Sequence, residues 1–212
     1  MRIEDATAAL IAAGRRLGAR GLISAGEGNL SVRLDDGRLL ITPTGRRKDE
    51  LGPDDLVIVR PGHGDANEPR SRSGLPPSSD LRIHLAVHAA RPDIGAVAHA
   101  HLPASMALTL AGEIPDPSAL PETALHLGRL PYLPYGEMGS QDLADRIGAA
   151  LTDPPEPCAV VVLLERHGAV AVGQDVGAAV DRLELTEVLC RTWRDALLVR
   201  AARGGLAGLD IV

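Results

Sequence analysis

Apolar positions recur at helical spacing near both ends of the chain. Over residues 3–20 almost every third or fourth position is Ile, Ala or Leu, which predicts an amphipathic helix. A longer helix is predicted from about Val176 to Ala202. Two inner segments share this spacing, "DLRIHLAVHAAR", which Pro92 ends, and "SQDLADRIGAAL", which Ser140 caps. Pro103 opens a further short helix.

Shorter apolar runs between these helices, each bounded by Gly, Pro or charged residues, predict β-strands. They are "NLSVRL", "RLLITPTG", "LVIVR", "IGAVAHAH", "RLPYLPY" and the two halves of "AVVVLLERHGAVAVG", which a turn at His167–Gly168 separates. Asp35–Gly37 forms a hairpin turn, and residues 61–77, with His63, read as a long exposed loop. Strands that meander with helices inserted indicate α/β layers in a single domain, residues 1–212.

The composition excludes several classes of function. One Trp, two Tyr and no Phe in 212 residues leave no aromatic platforms for nucleic acid. A net charge of −6 argues against binding an extended polyanion, although a local pocket can still take a small anion. The chain has no signal-like or membrane-spanning apolar run, so we expect no membrane association, a cytoplasmic location, and reduced thiols at Cys158 and Cys190.

Two histidines stand one residue apart in "GAVAHAHLPASM". On a strand His99 and His101 would point to the same face, so their rings can converge on one metal ion. His167 leaves another buried strand at a turn and supplies a third imidazole, with Gly168 allowing close approach of the backbone. Two strand ends that deliver three imidazoles are typical of a zinc site with an open fourth position.

His84 and His88 are a competing pair, four residues apart on a predicted helix with Leu81 and Leu85. We interpret them as structural residues, and His84, which follows Asp80 by four, as a candidate partner of that carboxylate. Three glycine- and hydroxyl-rich stretches, "GEGNLS", "TPTG" and "LPPSSD", offer free backbone N–H groups. Each is a turn or cap on its own, but beside a metal they suggest a phosphate pocket.

The motifs "GEGNLSVR", "ITPTG", "LPPSSDLRIHLAVHAARPDIGAVAHAH", "LPYLPYGEMGSQDLA" and "RHGAVAVG" follow one another in this order. Their order and content resemble the class II aldolase/adducin family, and within it most of all the L-fuculose-phosphate aldolases. The resemblance runs over nearly the whole chain. It implies an α/β layered fold with a largely antiparallel central sheet flanked by helices, and a homotetramer with sites at subunit interfaces.

The resemblance also implies a role for individual residues. His99, His101 and His167 match the zinc ligands, one ion per subunit, with cobalt or manganese as other divalent ions that such ligands tolerate. Asp80 stands where the aldolases carry a glutamate that moves a proton and can ligate zinc when substrate is absent. The positions that match the groups holding the phosphate of a sugar-phosphate substrate are Gly28, Asn29, Thr44, Gly45, Ser78 and Ser79.

A site of this kind implies cleavage of a fuculose-phosphate-like ketose 1-phosphate to dihydroxyacetone phosphate and an aldehyde through a metal-stabilised enediolate. The chain departs from the family pattern at the aldehyde end. Asp80 is one methylene shorter than the glutamate, and no tyrosine stands between Ser118 and Leu130 or in the tail "GGLAGLDIV". Glu122 is interpreted as a substitute for the catalytic tyrosine. Gly26 replaces a hydroxyl residue of the first phosphate loop.

Aspartate at position 80 also resembles the family's ribulose-phosphate 4-epimerases, although their "HADYF"-like segment is absent here. A sugar-phosphate 4-epimerase, a dehydratase or a sugar-acid phosphate decarboxylase on the same scaffold is therefore an alternative activity. A non-catalytic, adducin-like association module is a third interpretation. The presence of all three histidines argues against it.

Overall fold

Seven strands and six α-helices form the part of the chain that this computed structural model describes, residues 1–62, 70–153 and 157–206, with side chains to 203. The strands are β1 (Asn29–Arg33), β2 (Leu39–Ile41), β3 (Val57–Val59), β4 (Ala96–Ala100), β5 (Tyr132–Leu133), β6 (Val161–Leu164) and β7 (Gly168–Gly173). The helices are α1 (Ile3–Ala19), α2 (Leu81–Ala90), α3 (Pro103–Leu110), α4 (Pro121–His126), α5 (Gln141–Ala150) and α6 (Val176–Leu206). His63 of the predicted loop and the end of the C-terminal tail lie outside these residues.

One sheet joins the seven strands in the order β3-β2-β1-β4-β7-β6-β5. Every neighbouring pair is antiparallel except β5 and β6, which run parallel. The predicted α/β fold with a largely antiparallel sheet and flanking helices is therefore confirmed. Strand β1 pairs with β4, which lies far from it in the sequence, and this register places Asn29 directly opposite His99.

Side chains of the central strands alternate between two apolar layers, as the twofold repeat of a strand requires. Along β4 the alanines face the layer formed with α1 and α6, whereas Val97 faces the layer formed with α2 and α5. Strand β7 repeats the arrangement, with Ala169 and Ala171 on the first side and Val170 and Val172 on the second. The odd-numbered positions of β4 and β1 therefore face α2.

Helix α2 buries its two histidines together with apolar residues. Its buried residues are Ile83, His84, Val87 and His88, whereas Leu81 and Leu85 are only partly buried against β2 and β3. The imidazoles can occupy the inward face because polar groups of β1 hydrogen-bond to them.

Two boundaries also differ from the predictions. Strand β5 has only two residues, because Pro131 and Pro134 flank it and cannot donate backbone hydrogen bonds to a neighbouring strand. Helix α6 continues to Leu206, beyond the predicted end at Ala202. Among the described residues, no helix combines the length and apolarity needed to cross a membrane.

Candidate metal centre and phosphate pocket

The antiparallel pairing of the central strands β4 and β7 brings the three predicted imidazoles together where β4 ends and β7 begins. His99 and His101 are two residues apart at the end of β4, and His167 immediately precedes β7. The ring centroids of the three pairs lie 4.7–5.1 Å apart. One nitrogen from each ring lies within 4.8 Å of the others, a group that can hold a metal ion.

The turn before β7 is shaped for this approach. Gly168 has a φ of 93°, and a Cβ at this position would lie 2.1 Å from the carbonyl oxygen of Ala100. Only glycine therefore allows β7 to pack so closely on the end of β4. Arg166, one residue before His167, also has a positive φ of 57°, a strained backbone conformation that functional turns often hold.

The nitrogens of this cluster suit a divalent ion. His99 contacts the carbonyl oxygen of Ala169 through Nδ1 at 3.0 Å, which leaves its buried Nε2 without a hydrogen-bond partner among the described residues. Both ring nitrogens of buried His167 also lack such a partner there. Burial lowers the pKa of His99 to about 3 and lowers the pKa of His167 as well. Both rings are therefore neutral at pH 7 and keep lone pairs for a metal.

Two carboxylates flank the three histidines. Asp80 is buried at the N-cap position of α2, and its Oδ2 lies 4.0 Å from Nε2 of His99. Burial opposes its charged form, but His99 and a hydrogen bond from Asn29 outweigh this and hold the pKa of Asp80 below its usual value. On the other side, Oε2 of Glu27 lies 2.9 Å from Nδ1 of His101. Sequence reasoning missed Glu27.

The three glycine- and hydroxyl-rich stretches converge beside Asp80. The carbonyl oxygen of Thr42 accepts a hydrogen bond from the backbone N–H of Ser78, and Thr44 N–H donates to the carbonyl oxygen of Pro76. Gly26 lies close to Gly45, since a Cβ on Gly26 would sit 3.6 Å from the Gly45 backbone. Segments far apart in the sequence thus lie side by side.

Lys48 ties two of these loops together, and sequence reasoning missed it. Its Nζ donates to the carbonyl oxygens of Gly26 and Arg46 at 2.6 and 2.8 Å. Burial lowers the pKa of Lys48 to about 8, although Asp80 and Glu27 act in the opposite direction. The ammonium remains mostly charged at pH 7 and supplies positive potential beside these loops.

The residues predicted to bind phosphate differ in how accessible they are to a ligand. Gly45, with a φ of 68°, and the exposed Ser79 are open to a ligand. Gly28 has a structural reason to be glycine, because a Cβ there would lie 2.7 Å from Ile23 and 3.0 Å from the His99 carbonyl oxygen. Asn29 uses its side-chain amide on Asp80 and His84, at 2.8 and 2.6 Å.

The remaining predicted residues either lie away from the three histidines or make hydrogen bonds to other parts of the protein. Ser78 is buried, and its Oγ accepts a hydrogen bond from the backbone N–H of Asp80. Ser79 is not the helix cap, since Asp80 holds that position. Glu122 is exposed in the first turn of α4 and has no hydrogen bond or ion pair with the described residues of the cluster.

Residues 8–194 match the class II aldolase and adducin N-terminal domain family. The match covers most of the 212 residues, so the chain belongs to this family and is an enzyme of the class II aldolase superfamily. Its three-histidine group accords with the metal dependence of class II aldolases.

Its relatives differ in activity. The 5-methylthioribulose-1-phosphate/5-deoxyribulose-1-phosphate aldolase of Rhodospirillum rubrum is 36% identical over 187 residues, 87% of this chain and 79% of that protein. The 3-oxo-tetronate 4-phosphate decarboxylase of Haemophilus influenzae is 31% identical over 183 residues, 84% of this chain and 81% of that protein. The crystal structure of L-fuculose-1-phosphate aldolase from Thermus thermophilus superposes with a TM-score of 0.75 at 28% identity, covering 92% of this chain and 95% of that one.

Proposed function

We propose that this protein is a metal-dependent aldolase that cleaves a ketose 1-phosphate to dihydroxyacetone phosphate and an aldehyde. The observation that carries the proposal is the position of three imidazoles beside a buried carboxylate and three converging loops. The names of two relatives support a ketose 1-phosphate as the substrate class. A single domain, residues 1–212, would hold the whole site, because one sheet carries the metal and phosphate groups.

His99, His101 and His167 would hold the ion, and we propose zinc, which commonly takes three histidines and leaves a position open. Asp80 would add a fourth ligand when substrate is absent. The bound ion would act as a Lewis acid that stabilises negative charge on the substrate oxygens. The loops with Gly28, Asn29, Thr44, Gly45, Ser78 and Ser79 would hold the phosphate, assisted by the charge of Lys48.

Asp80 is proposed to move the proton at carbon. In the condensation direction its carboxylate removes a proton from the hydroxymethyl carbon of dihydroxyacetone phosphate, and the resulting enediolate attacks the aldehyde carbon. Because its pKa is held below the usual value, Asp80 is ionised at neutral pH, the form that can accept a proton. The aldehyde oxygen must gain a proton as the new bond forms. Cleavage runs the same steps in reverse.

Glu122 is proposed as the acid that donates a proton to the aldehyde oxygen, in place of the tyrosine. Because it is exposed and makes no contact with the described residues of its own cluster, it would act from a neighbouring subunit. A homotetramer with sites between subunits provides such an arrangement. We propose this assembly and a cytoplasmic location together with the activity.

A substrate panel tests the proposal. Purified protein loaded with zinc is incubated with fuculose 1-phosphate, ribulose 1-phosphate, 5-deoxyribulose 1-phosphate and 5-methylthioribulose 1-phosphate, and dihydroxyacetone phosphate is assayed enzymatically. We expect release with at least one substrate and a loss of at least about 100-fold after chelation or in His101→Ala, since the Lewis acid is removed. The control variant Glu113→Ala, at an exposed position, should match the wild type. Absence of release from all four would contradict the aldolase assignment.

A decarboxylase is the second candidate, since a relative of that activity is 31% identical. It would use the same imidazoles and phosphate loops to stabilise an enolate after loss of carbon dioxide. Ribulose 5-phosphate and 3-oxo-tetronate 4-phosphate therefore complete the panel. Release of carbon dioxide from 3-oxo-tetronate 4-phosphate would favour the decarboxylase. Inversion at C4 of ribulose 5-phosphate would instead favour an epimerase, and loss of water from 5-methylthioribulose 1-phosphate would favour a dehydratase.

A further inference from the structure

Two polar stripes of matching spacing face each other between β1 and α2. Strand β1 presents every second residue to this helix, and the start of α2 presents every fourth residue to the strand. Two strand residues span about 6.6 Å and four helical residues about 6.0 Å, so the stripes stay in register over their length. The residues are Asn29, Ser31 and Arg33 on the strand side, and Asp80, His84 and His88 on the helix side.

The stripes form a continuous chain of hydrogen bonds. Nη2 of Arg33 lies 3.2 Å from Nδ1 of His88, and Nε2 of His88 lies 3.0 Å from Oγ of Ser31. The same Oγ lies 2.6 Å from Nδ1 of His84. The Nε2 atom of His84 lies 2.6 Å from Oδ1 of Asn29, whose Nδ2 donates to Oδ2 of Asp80 at 2.8 Å. All of these residues except Arg33 are buried.

The chemistry of the two ends gives the chain one direction. A guanidinium has only donors and an ionised carboxylate only acceptors. Arg33 therefore donates to His88, whose proton lies on Nε2 and is donated to Ser31. The Ser31 hydroxyl then donates to Nδ1 of His84. Burial lowers the pKa of His84 to about 4 and the pKa of His88 to about 3, so each ring carries one N–H at neutral pH.

We propose that His84 is a positioning residue for Asp80. Its Nε2–H orients the side-chain amide of Asn29, and this amide in turn holds the Asp80 carboxylate toward the three histidines. A reversed amide would set Oδ1 of Asn29 against the carboxylate and leave the buried Asp80 without its donor, an arrangement that is strongly unfavourable for a buried charge. The part of this inference that concerns catalysis rests on the proposed function of Asp80 in proton transfer.

Two substitutions at position 84 separate positioning from mere space filling. In His84→Gln the side-chain N–H group occupies the place of Nε2 and can still donate to Asn29. In His84→Asn the shorter amide reaches the place of Nδ1, keeps the contact to Ser31 and loses the one to Asn29. We expect a kcat about 10–100-fold lower for His84→Asn, at unchanged KM and zinc content, and recovery of most of the loss in His84→Gln.

Equal losses of kcat in both variants, or equal activity in both, would overturn the inference. So would a loss of bound zinc in proportion to the loss of kcat, because His84 would then act on metal binding. The melting temperature of each variant is measured alongside. If His84→Asn does not fold, Ser31→Ala replaces it; that variant no longer enforces the proton position on His84 and should lower kcat with KM unchanged.

A measurement that needs no substrate tests the role of His84 independently of the proposed activity. In selectively ¹⁵N-labelled wild-type protein, long-range ¹H–¹⁵N spectra should show the His84 proton on Nε2, and the Asn29 amide protons should exchange slowly with solvent. We expect slow exchange to persist in His84→Gln and to be lost in His84→Asn. A proton on Nδ1 of His84 in the wild type would overturn the inference whether or not the substrate panel shows turnover.

Discussion

Burial of imidazoles has two different consequences at the scale of single residues. His99 and His167 are neutral and keep ring nitrogens without partners among the described residues, which makes them available for a metal ion. His84 and His88 are also neutral, but both nitrogens of each ring lie within hydrogen-bond distance of polar groups. The same residue type therefore serves as a metal ligand or as a structural link, according to what its neighbours donate and accept.

His88 should make the stability of the protein sensitive to acid. Its pKa is about 3 in the folded protein because of burial, assisted by His84 and Arg33, against 6.5 for a free ring. Between these values the unfolded chain binds more protons, so the free energy of unfolding falls as the pH falls below 6.5. At pH 5 the contribution of this residue amounts to about 2 kcal/mol.

Urea unfolding of the wild type and His88→Gln at pH 7 and pH 5 measures this contribution. The variant lacks the contribution of His88 to the pH dependence. The free energy of unfolding should therefore change between pH 7 and pH 5 by about 2 kcal/mol less in the variant than in the wild type. The comparison uses the pH slope rather than the absolute stability, which the substitution itself also lowers. An identical slope in both proteins would contradict the assignment.

At the scale of elements, the metal cluster depends on how closely β7 approaches the end of β4. Ala100 pairs with Ala169, and Gly168 continues this contact past the end of β4, where His101 follows. The His-x-His spacing places His99 and His101 on one face, but only the register of β7 against β4 brings His167 to them. A change that separates the two strands by a fraction of an ångström should therefore disturb all three rings.

Gly168→Ala tests this dependence. Its Cβ would lie 2.1 Å from the Ala100 carbonyl oxygen at a φ of 93°, so we expect a loss of at least about 2 kcal/mol and much weaker zinc binding. The matched control is Gly37→Ala, which has a φ of 81° but no atom within 4 Å of the added Cβ. It should cost only about 1 kcal/mol and leave zinc affinity unchanged. Equal effects of both substitutions in calorimetry and zinc titration would refute the steric argument.

At the scale of the whole molecule, α6 carries apolar residues that the other described residues leave exposed. Val188, Leu198 and Val199 are 51–62% exposed along this helix, although its inner positions pack against the sheet. Leu198 and Val199 are neighbours in the sequence, and adjacent exposed apolar side chains can pack against a second subunit. These residues support the proposed homotetramer.

The mass of the protein in solution tests the proposed homotetramer. Sedimentation equilibrium should give about four times the chain mass of 22.1 kDa. Leu198→Glu places a charge on the exposed stretch of α6 and should shift the equilibrium toward smaller species, with unchanged far-ultraviolet circular dichroism. A monomeric wild type would contradict the assembly and, with it, the proposed role of Glu122 from a neighbouring subunit.

Much of the fold and the site could be predicted because their signals are local. The helical spacing of α1 and α5, the prolines beside β5 and the His-x-His spacing of β4 each depend on a few neighbouring residues. Glu27, Lys48 and Ser31 could not be predicted in the same way. Each contacts a residue 22 or more positions away, and these contacts arise from strand register and loop packing, which no local pattern encodes.

By itself the sequence determined the elements, the family pattern and the identity of the three imidazoles, because side-chain period and residue chemistry are properties of short segments. The tertiary structure alone decided that Asn29 faces His99, that the stripes of β1 and α2 meet, and that Glu122 stays outside its own cluster. The physical reason is that these relations depend on how distant strands pair and pack. A one-residue change of register would turn every one of the strand side chains to the other face of the sheet.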